Sequence, residues 1–360
     1  MKKLCIISFT VIAALCYVSA LIAEDGSGWN VAPIAAPYYT PDTKWAIGAY
    51  IVPYYKPPAD SPFTKSDEYT FYVAYTQLKQ IAFGFLPEAY FADGKIKLSG
   101  KIEACRYPTL FWGLGPDTPD KAKEQYTQVG WWGDLAVMFR AGDIVYIGPL
   151  YHYRNNTEKD YESGGIIDSG DIPGINHYIE SGLGFALQID TRDSIFYPKR
   201  GMFINERSSF QHKAFVSDNK FGRHEFDARM FYGITGDHVI AFQFKAKITQ
   251  GDVPLESLSG IGGDELMRGY LENRYIDKTS IAAQAEYRFP VIWRFAGTAF
   301  AGAGEVQPSM MDYNTGDLHF AAGAGLRLII DRQEHIAARL DLGFDENGSL
   351  SIYFLVKEAF

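Results

Sequence analysis

The sequence predicts an all-β protein, a transmembrane antiparallel β-barrel of about 16 strands of the outer-membrane type. Three observations predict it. The chain opens on an export signal with no later helix long enough to cross a membrane. Apolar and polar residues then alternate with period two in segment after segment. The connections between these segments are short on one side and long on the other.

The signal reads in three parts: Lys2 and Lys3, an apolar run from Leu4 to Val18, and small-residue cleavage options after Ala20 or Ala23. Residues 1–23 are therefore read as the signal peptide and 24–360 as the barrel. The apolar run is about 15 residues, short of the ~20 a helix needs to cross ~30 Å of hydrocarbon. Cys16 follows Ala13, Ala14 and Leu15, which is not the pattern that precedes a lipidated cysteine. No later window holds 18 uncharged apolar residues. In lipid every backbone N–H and C=O needs an internal partner, so crossing then requires a closed sheet.

Composition agrees. Tyr (24) and Phe (25) are abundant, yet the hydrophobic fraction is an ordinary 47%, as expected when only alternate residues meet lipid. Cys5 and Cys16 fall in the signal, which leaves Cys105 without a disulfide partner in the chain. A net charge of −9 argues against a nucleic-acid partner. Outer-membrane lipids are the expected surroundings.

The alternation is cleanest toward the end of the chain. Between Lys278 and Phe289, Ile281, Ala283, Ala285, Tyr287 and Phe289 share one face, opposite Ser280, Gln284, Glu286 and Arg288. Phe320 to Leu328 set against His319 and Arg327 repeats the pattern, as does Ile336 to Leu342 against Arg339 and Asp341. Such segments fall at 31–39, 44–54, 68–77, 80–91, 95–112, 124–140, 143–154, 176–191, 200–213, 221–235, 237–250, 276–289, 293–305, 318–331, 334–344 and 349–360. The first carries Pro33 and Pro37, awkward inside a sheet. Short turns near 331–334, 290–292, 235–237, 141–142 and 92–94 fall on one side, which assigns it to the periplasm. The longer connections 306–317, 251–275, 155–175 and 113–123 fall on the other. Only 55–67, with Pro57, Pro58 and Pro62, is long on the periplasmic side, and a misplaced strand would explain it. The last segment is expected to run to Phe360, an aromatic end of the kind the assembly machinery reads when it inserts such barrels.

Three motifs carry a family resemblance. Before the twelfth segment the sequence reads Gly262-Gly263-Asp264-Glu265-Leu266-Met267-Arg268-Gly269-Tyr270. Asp190-Thr191-Arg192-Asp193 leads to Tyr197-Pro198 and Gly201, and Glu286-Tyr287-Arg288-Phe289-Pro290 closes a strand. Together they resemble the superfamily of outer-membrane assembly factors and two-partner-secretion barrels, also called the bacterial surface antigen domain. The resemblance implies that the loop holding Arg268 folds back into the barrel and that Arg268 pairs with an inner-wall acid, Glu286 being the candidate. A guanidinium presents a rigid fork of donors suited to carboxylates in a confined space. Gly269 would let the backbone pass closely and Tyr270 would pack in the lumen. One departure stands out: where the family often has Phe-x-Asp-x-Gly, this chain reads Phe300-Ala301-Gly302-Ala303-Gly304, so one acid partner is missing. With the cleavage site and first segment placed as above, the chain is expected to lack the periplasmic repeat domains that the resemblance would imply.

No nucleophile elbow, zinc-protease motif or phosphate-cradling loop is present, and the histidines, among them His152, His177 and His224, show no ligand spacing. No enzyme, metal or cofactor is expected. Asp190, Arg192 and Asp193 read as turn-stabilising residues, and Trp131, Trp132 and Tyr126 as an interfacial aromatic girdle. By resemblance, the expected function is assembly or translocation of client proteins at the outer membrane, with the seam between first and last strands opening. A separate periplasmic partner would supply the missing domains. The alternative is a passive pore, or a structural surface-antigen barrel with a loop-plugged lumen.

Overall fold

A computed structural model describes residues 27–360 apart from 59, 62, 64, 170, 171, 174, 196, 332–335 and 357. The expected signal peptide, 1–23, and most of the turn expected near 331–334 lie outside these residues. Sixteen strands close one antiparallel barrel. They are β1 (Gly28–Thr40), β2 (Lys44–Lys56), β3 (Asp67–Thr76), β4 (Ile81–Phe91), β5 (Ile96–Phe111), β6 (Glu124–Arg140), β7 (Val145–Lys159), β8 (Tyr178–Asp190), β9 (Gly201–Gln211), β10 (Phe221–Gly233) and β11 (Val239–Gly251), followed by β14 (Thr279–Ile292), β15 (Phe295–Gln307), β16 (His319–Asp331), β17 (Ile336–Asp345) and β18 (Leu350–Val356). Between β11 and β14 a small hairpin, β12 (Ser259–Ile261) and β13 (Tyr275–Asp277), stands apart from the barrel.

Each neighbour pairs with the next in sequence, β11 bonding directly to β14 across the long loop. The pleat sorts side chains as the alternation requires. On β10, Arg223, Glu225, Asp227 and Arg229 line the lumen while Met230 and Tyr232 face out; on β16, Phe320 and Leu326 face out and Arg327 is buried. The outside is thus an apolar band and the inside a set of charged ladders, which removes the usual compact core. Its place is taken by apolar packing of loops in the lumen, such as Phe111, Tyr126, Phe221, Val253, Leu255 and Ile276.

The segment at 55–67 is no misplaced strand. β2 ends at Lys56 and β3 begins at Asp67, with no strand between them among the described residues. Phe63 stacks against Tyr90 with ring centres 4.9 Å apart. It fills the space beside Gly94, where a Cβ would come within 2.2 Å of the Phe63 ring.

The last strand differs from expectation too. β18 stops at Val356 rather than running to Phe360, and Ala359 and Phe360 are buried inside the lumen. The alternation supplies the reason. Ile352 and Leu350 face outward, so a straight continuation would turn Glu358 outward as well. Leaving the sheet instead lets its carboxylate meet Arg327 Nε at 2.8 Å.

The seam is the weakest part of the wall. All thirteen residues of β1 pair with β2, whereas among the described residues β1 and β18 share a single registered pair, Tyr39 with Phe354. Pro33 and Pro37 lie within β1 and remove two N–H donors that a fully sealed wall would use.

Candidate functional site: a loop docked in the lumen

The loop from 252 to 278 crosses the barrel interior. Its root is held by the β6–β8 wall and by β11. Ser257 donates to both carboxylate oxygens of Glu180 at 2.6 and 2.8 Å, Glu256 accepts from the Tyr126 hydroxyl at 2.7 Å, and Lys247 Nζ donates to the Leu258 carbonyl. Behind Glu180, His152 is buried with its ring nitrogens 3.1 Å from Glu180 and 2.7 Å from Asp134. Tyr126 and Trp132 are therefore lumen residues, the latter beneath Arg154, and of the three aromatics expected in the girdle Trp131 alone is strongly exposed.

The tip of the loop reaches the opposite wall. Arg268 is fully buried, and its fork separates to two acids: Nη2 donates to Glu286 at 2.6 Å and Nη1 to Asp341 at 2.8 Å. The guanidinium carbon lies 3.6 Å from the centre of the Phe300 ring, a cation–π contact made in a desolvated setting. Glu286 also accepts from Arg288 Nε at 2.8 Å, and Asp341 is bonded by Arg327. Arg339 adds a contact to Asp341 at 3.4 Å and donates to Asp264 of the loop at 2.9 Å. Arg268, Arg288, Arg327 and Arg339 thereby face Asp264, Glu286, Asp341 and Glu358. Each of these cations has an acid beside it, the condition under which buried ions are tolerated.

Glu286 sits where the sequence reading put it. The second acid, Asp341, was legible only as a lumen-facing residue. The resemblance implies an acid at position 302, but a Cβ on Gly302 would lie 3.0 Å from the Ala283 carbonyl and 3.4 Å from Met267 Sδ. The loop tip and an acid at 302 compete for the same space. An acid on β17 does not.

Close backbone contact completes the dock. Gly269 has φ +144°, and a Cβ there would meet the Phe344 carbonyl at 2.8 Å; conversely a Cβ on Gly343 would lie 2.4 Å from the Arg268 carbonyl oxygen. Two glycines thus let loop and wall touch. The neighbouring Met267 has φ 59°, a conformation that costs about 1–3 kcal/mol and is held by its burial with Leu266, Tyr270 and Val306. Gly262 and Gly263 also have positive φ, with the Gly263 N–H bonded to the Tyr270 carbonyl.

The dock straddles the seam. On the β18 side, Ser351 donates to the Gly269 carbonyl at 2.8 Å, and the Tyr353 hydroxyl accepts from Gly269 N–H and donates to the Tyr270 carbonyl, both at 3.1 Å. On the β1 side, the Glu272 N–H donates to Asp42 in the β1–β2 turn at 3.0 Å. Burial, reinforced by the charge of Asp264, pushes the Asp42 carboxyl up to about 6. Burial likewise raises Asp264 against the lowering pull of Arg339.

The second motif builds a periplasmic turn. Arg192 grips Asp190 through two bonds of 2.9 Å, Asp193 accepts from the Lys199 and Arg200 backbone, and Gly201 at φ +103° allows close approach to the Thr191 carbonyl. Pro198 is buried in the same turn.

A sixteen-stranded barrel with an apolar exterior and an arginine loop docked inside is the class that this fold and site define: an outer-membrane β-barrel with a self-inserted loop. The profile of the Omp85 superfamily domain matches residues 66–345, and the chain belongs to that superfamily. Among solved structures the chain resembles BamA from Haemophilus ducreyi lacking POTRA domains 1–3, at 13% identity and a TM-score of 0.61, covering 93% of this chain and 71% of that one. It also resembles CdiB from Acinetobacter baumannii (12% identity, TM-score 0.56) and CdiB from Escherichia coli (11%, 0.60), covering 93% of this chain and 60% and 63% of theirs. A search of curated proteins finds no matching sequence.

Proposed function

We propose that the protein assists the insertion or translocation of other outer-membrane chains by offering the open edge of β1 to an incoming strand. The observation that carries this reading is the seam. A strand edge with unmade hydrogen bonds in lipid is costly, and the same edge is a template on which another strand can add. Among the described residues the single pair Tyr39–Phe354 leaves most of β1 unmatched on that side, so opening breaks few bonds between the two strands themselves. Membership of the Omp85 superfamily and the resemblance to assembly and secretion barrels favour the same reading. A separately supplied periplasmic partner would deliver the client. The filled lumen favours a second reading, a plugged structural barrel without clients.

The two separate in one experiment. A urea-denatured outer-membrane protein is allowed to insert into liposomes that are empty, that contain this barrel, or that contain the Tyr39→Cys/Phe354→Cys variant in a Cys105→Ala background. Acceleration by the barrel, lost on oxidation of the variant and regained on reduction, is the expected outcome. Equal rates in all three would leave the structural barrel.

A further inference from the structure

One place on the outer wall interrupts the apolar band. The pleat turns Met202 and Phe210 of β9 and Met230 and Tyr232 of β10 toward lipid, and Glu206, Ser208 and His224 share those faces. Glu206 has Leu187 and Phe226 beside it in register, and Ser208 has Phe185. Ser208 donates to Glu206 Oε1, and His224 Nδ1 lies 2.7 Å from the Ser208 hydroxyl oxygen. A hydroxyl has one proton to give, so Nδ1 is the donor in that second bond. Nδ1 is also 3.9 Å from Glu206 Oε1, and the His224 side chain is 54% exposed. Its other nitrogen, Nε2, has no hydrogen-bond partner among the described residues. Ionisable side chains that face hydrocarbon are costly, and where they persist they mark a site of use.

Beside this row the wall is dented. Ile204, Ala228, Phe244, Ala283, Ala303 and Phe320 follow one another in register across six strands. Where alanines stand in place of bulk they leave a depression of about 700 Å³ with an almost wholly apolar lining, a size typical of small-ligand sites. Glu206 follows Ile204 on the same face, about 7 Å along the strand. That step leads toward the extracellular end, because β9 leaves its periplasmic turn at Gly201.

We propose that the row and the depression together form a site for an ester-linked acyl lipid of the outer leaflet, its chain lying in the depression and an ester carbonyl accepting from His224 Nε2. The chemistry follows from the row. A Glu206 carboxylate in lipid needs a cation, and the imidazolium beside it supplies one. Its Nε2–H then faces hydrocarbon, where the ester at the head of an acyl chain is the acceptor within reach. The leaflet follows from the order of the parts, polar row toward the extracellular side and apolar depression toward the midplane. The row is built to bind rather than to hydrolyse. Ser208 hands its proton to Glu206 and not to the ring, the reverse of a hydroxyl activated by histidine.

The full-length protein in detergent micelles is titrated with dipalmitoyl phosphatidylethanolamine, with its diether analogue and with lipid A, and bound lipid is counted by native mass spectrometry. The diester is expected to bind at least about tenfold more tightly than the diether, which lacks the acceptor for one hydrogen bond from a charged donor. Lipid A, an ester-linked lipid of the outer leaflet, should match or exceed the diester. Glu206→Leu/Ser208→Ala/His224→Phe should bind diester and diether alike. This variant places apolar groups on a lipid-facing wall, so the barrel should stay folded, checked by the difference in gel migration between heated and unheated samples. Ala283→Phe fills the depression and should weaken both phospholipids about tenfold while leaving the preference for the ester. Equal binding of diester and diether by the unmodified protein overturns the proposal, and that contrast needs no variant. Binding of phospholipid without lipid A overturns the leaflet assignment. A dimer that the triple variant dissolves, with no saturable lipid adduct, overturns the lipid site in favour of contact between two copies.

Discussion

Replacing Arg268 with Ala removes one cation from a cluster in which four arginines face four carboxylates, leaving Glu286 and Asp341 to share Arg288, Arg327 and Arg339. Breaking a buried pair by deleting one partner costs about 3–5 kcal/mol, because an uncompensated charge stays behind. Water can enter the lumen as the loop leaves, so the lower end applies, about 3 kcal/mol, or roughly a hundredfold in the docking equilibrium. Native-state hydrogen exchange of the amides from 262 to 272, in detergent micelles, reads that equilibrium directly. Arg268→Lys keeps the charge but cannot reach both acids with one rigid fork, and an intermediate loss is expected. Adding Asp341→Asn to Arg268→Ala removes the stranded charge and should recover part of the protection, a coupling of about 0.5–3 kcal/mol. Protection that changes by less than about twofold in Arg268→Ala, under ~0.5 kcal/mol, would refute the view that this network holds the loop.

Gly343→Ala places a methyl 2.4 Å from the Arg268 carbonyl; overpacking of this kind costs about 1–3 kcal/mol, and the same exchange measurement should show the loop loosened while the barrel still migrates as folded. Gly302→Asp adds an unmatched carboxylate beside Met267, so the thermal midpoint should fall rather than rise. For Asp42 the carboxyl is raised to about 6 in the fold against about 4 when unfolded. The folded state holds the proton more tightly, so this contribution is complete below about pH 4 and is lost as pH climbs through 6. The melting midpoint of Asp42→Asn should accordingly match the unmodified protein at pH 4 and exceed it at pH 8; a gap of opposite sign would contradict the shift. Phe63→Ala should open the periplasmic mouth beside Gly94, measured as faster labelling of a cysteine introduced at Ser99 in a Cys105→Ala background.

Much of the barrel was legible because a strand in lipid has a rigid code. With one face in hydrocarbon and the other in a polar lumen, residues such as Ile281, Tyr287 and Leu326 must alternate with Gln284, Arg288 and Arg327, and a slip of one residue would expose charge to lipid. That constraint is local, so the sixteen segments appear within a few residues of their observed bounds, prolines of β1 included. The Gly-Gly-to-Arg-Gly-Tyr run was equally visible, as was Glu286 on the lumen face of its strand.

What alternation could not give is which lumen residues meet across the interior. Asp341 lies 73 positions from Arg268 and shares no local pattern with it; only closure of the barrel brings β14, β15 and β17 around one loop tip. Tyr126 and Trp132 were misjudged for the same reason, since an aromatic at a strand position can serve a girdle or a lumen, and the register decides. The tail is the sharpest case. Local periodicity carries β18 on to Phe360, but Glu358 on the lipid face is worse than Glu358 on Arg327, and that choice exists only once β16 stands beside it. The sequence by itself determined the strands, their faces and the loop that would fold in. The tertiary structure decided the partners of Arg268, the shortened last strand and the nearly unpaired seam, because these depend on charges and edges that meet only when the sheet closes on itself.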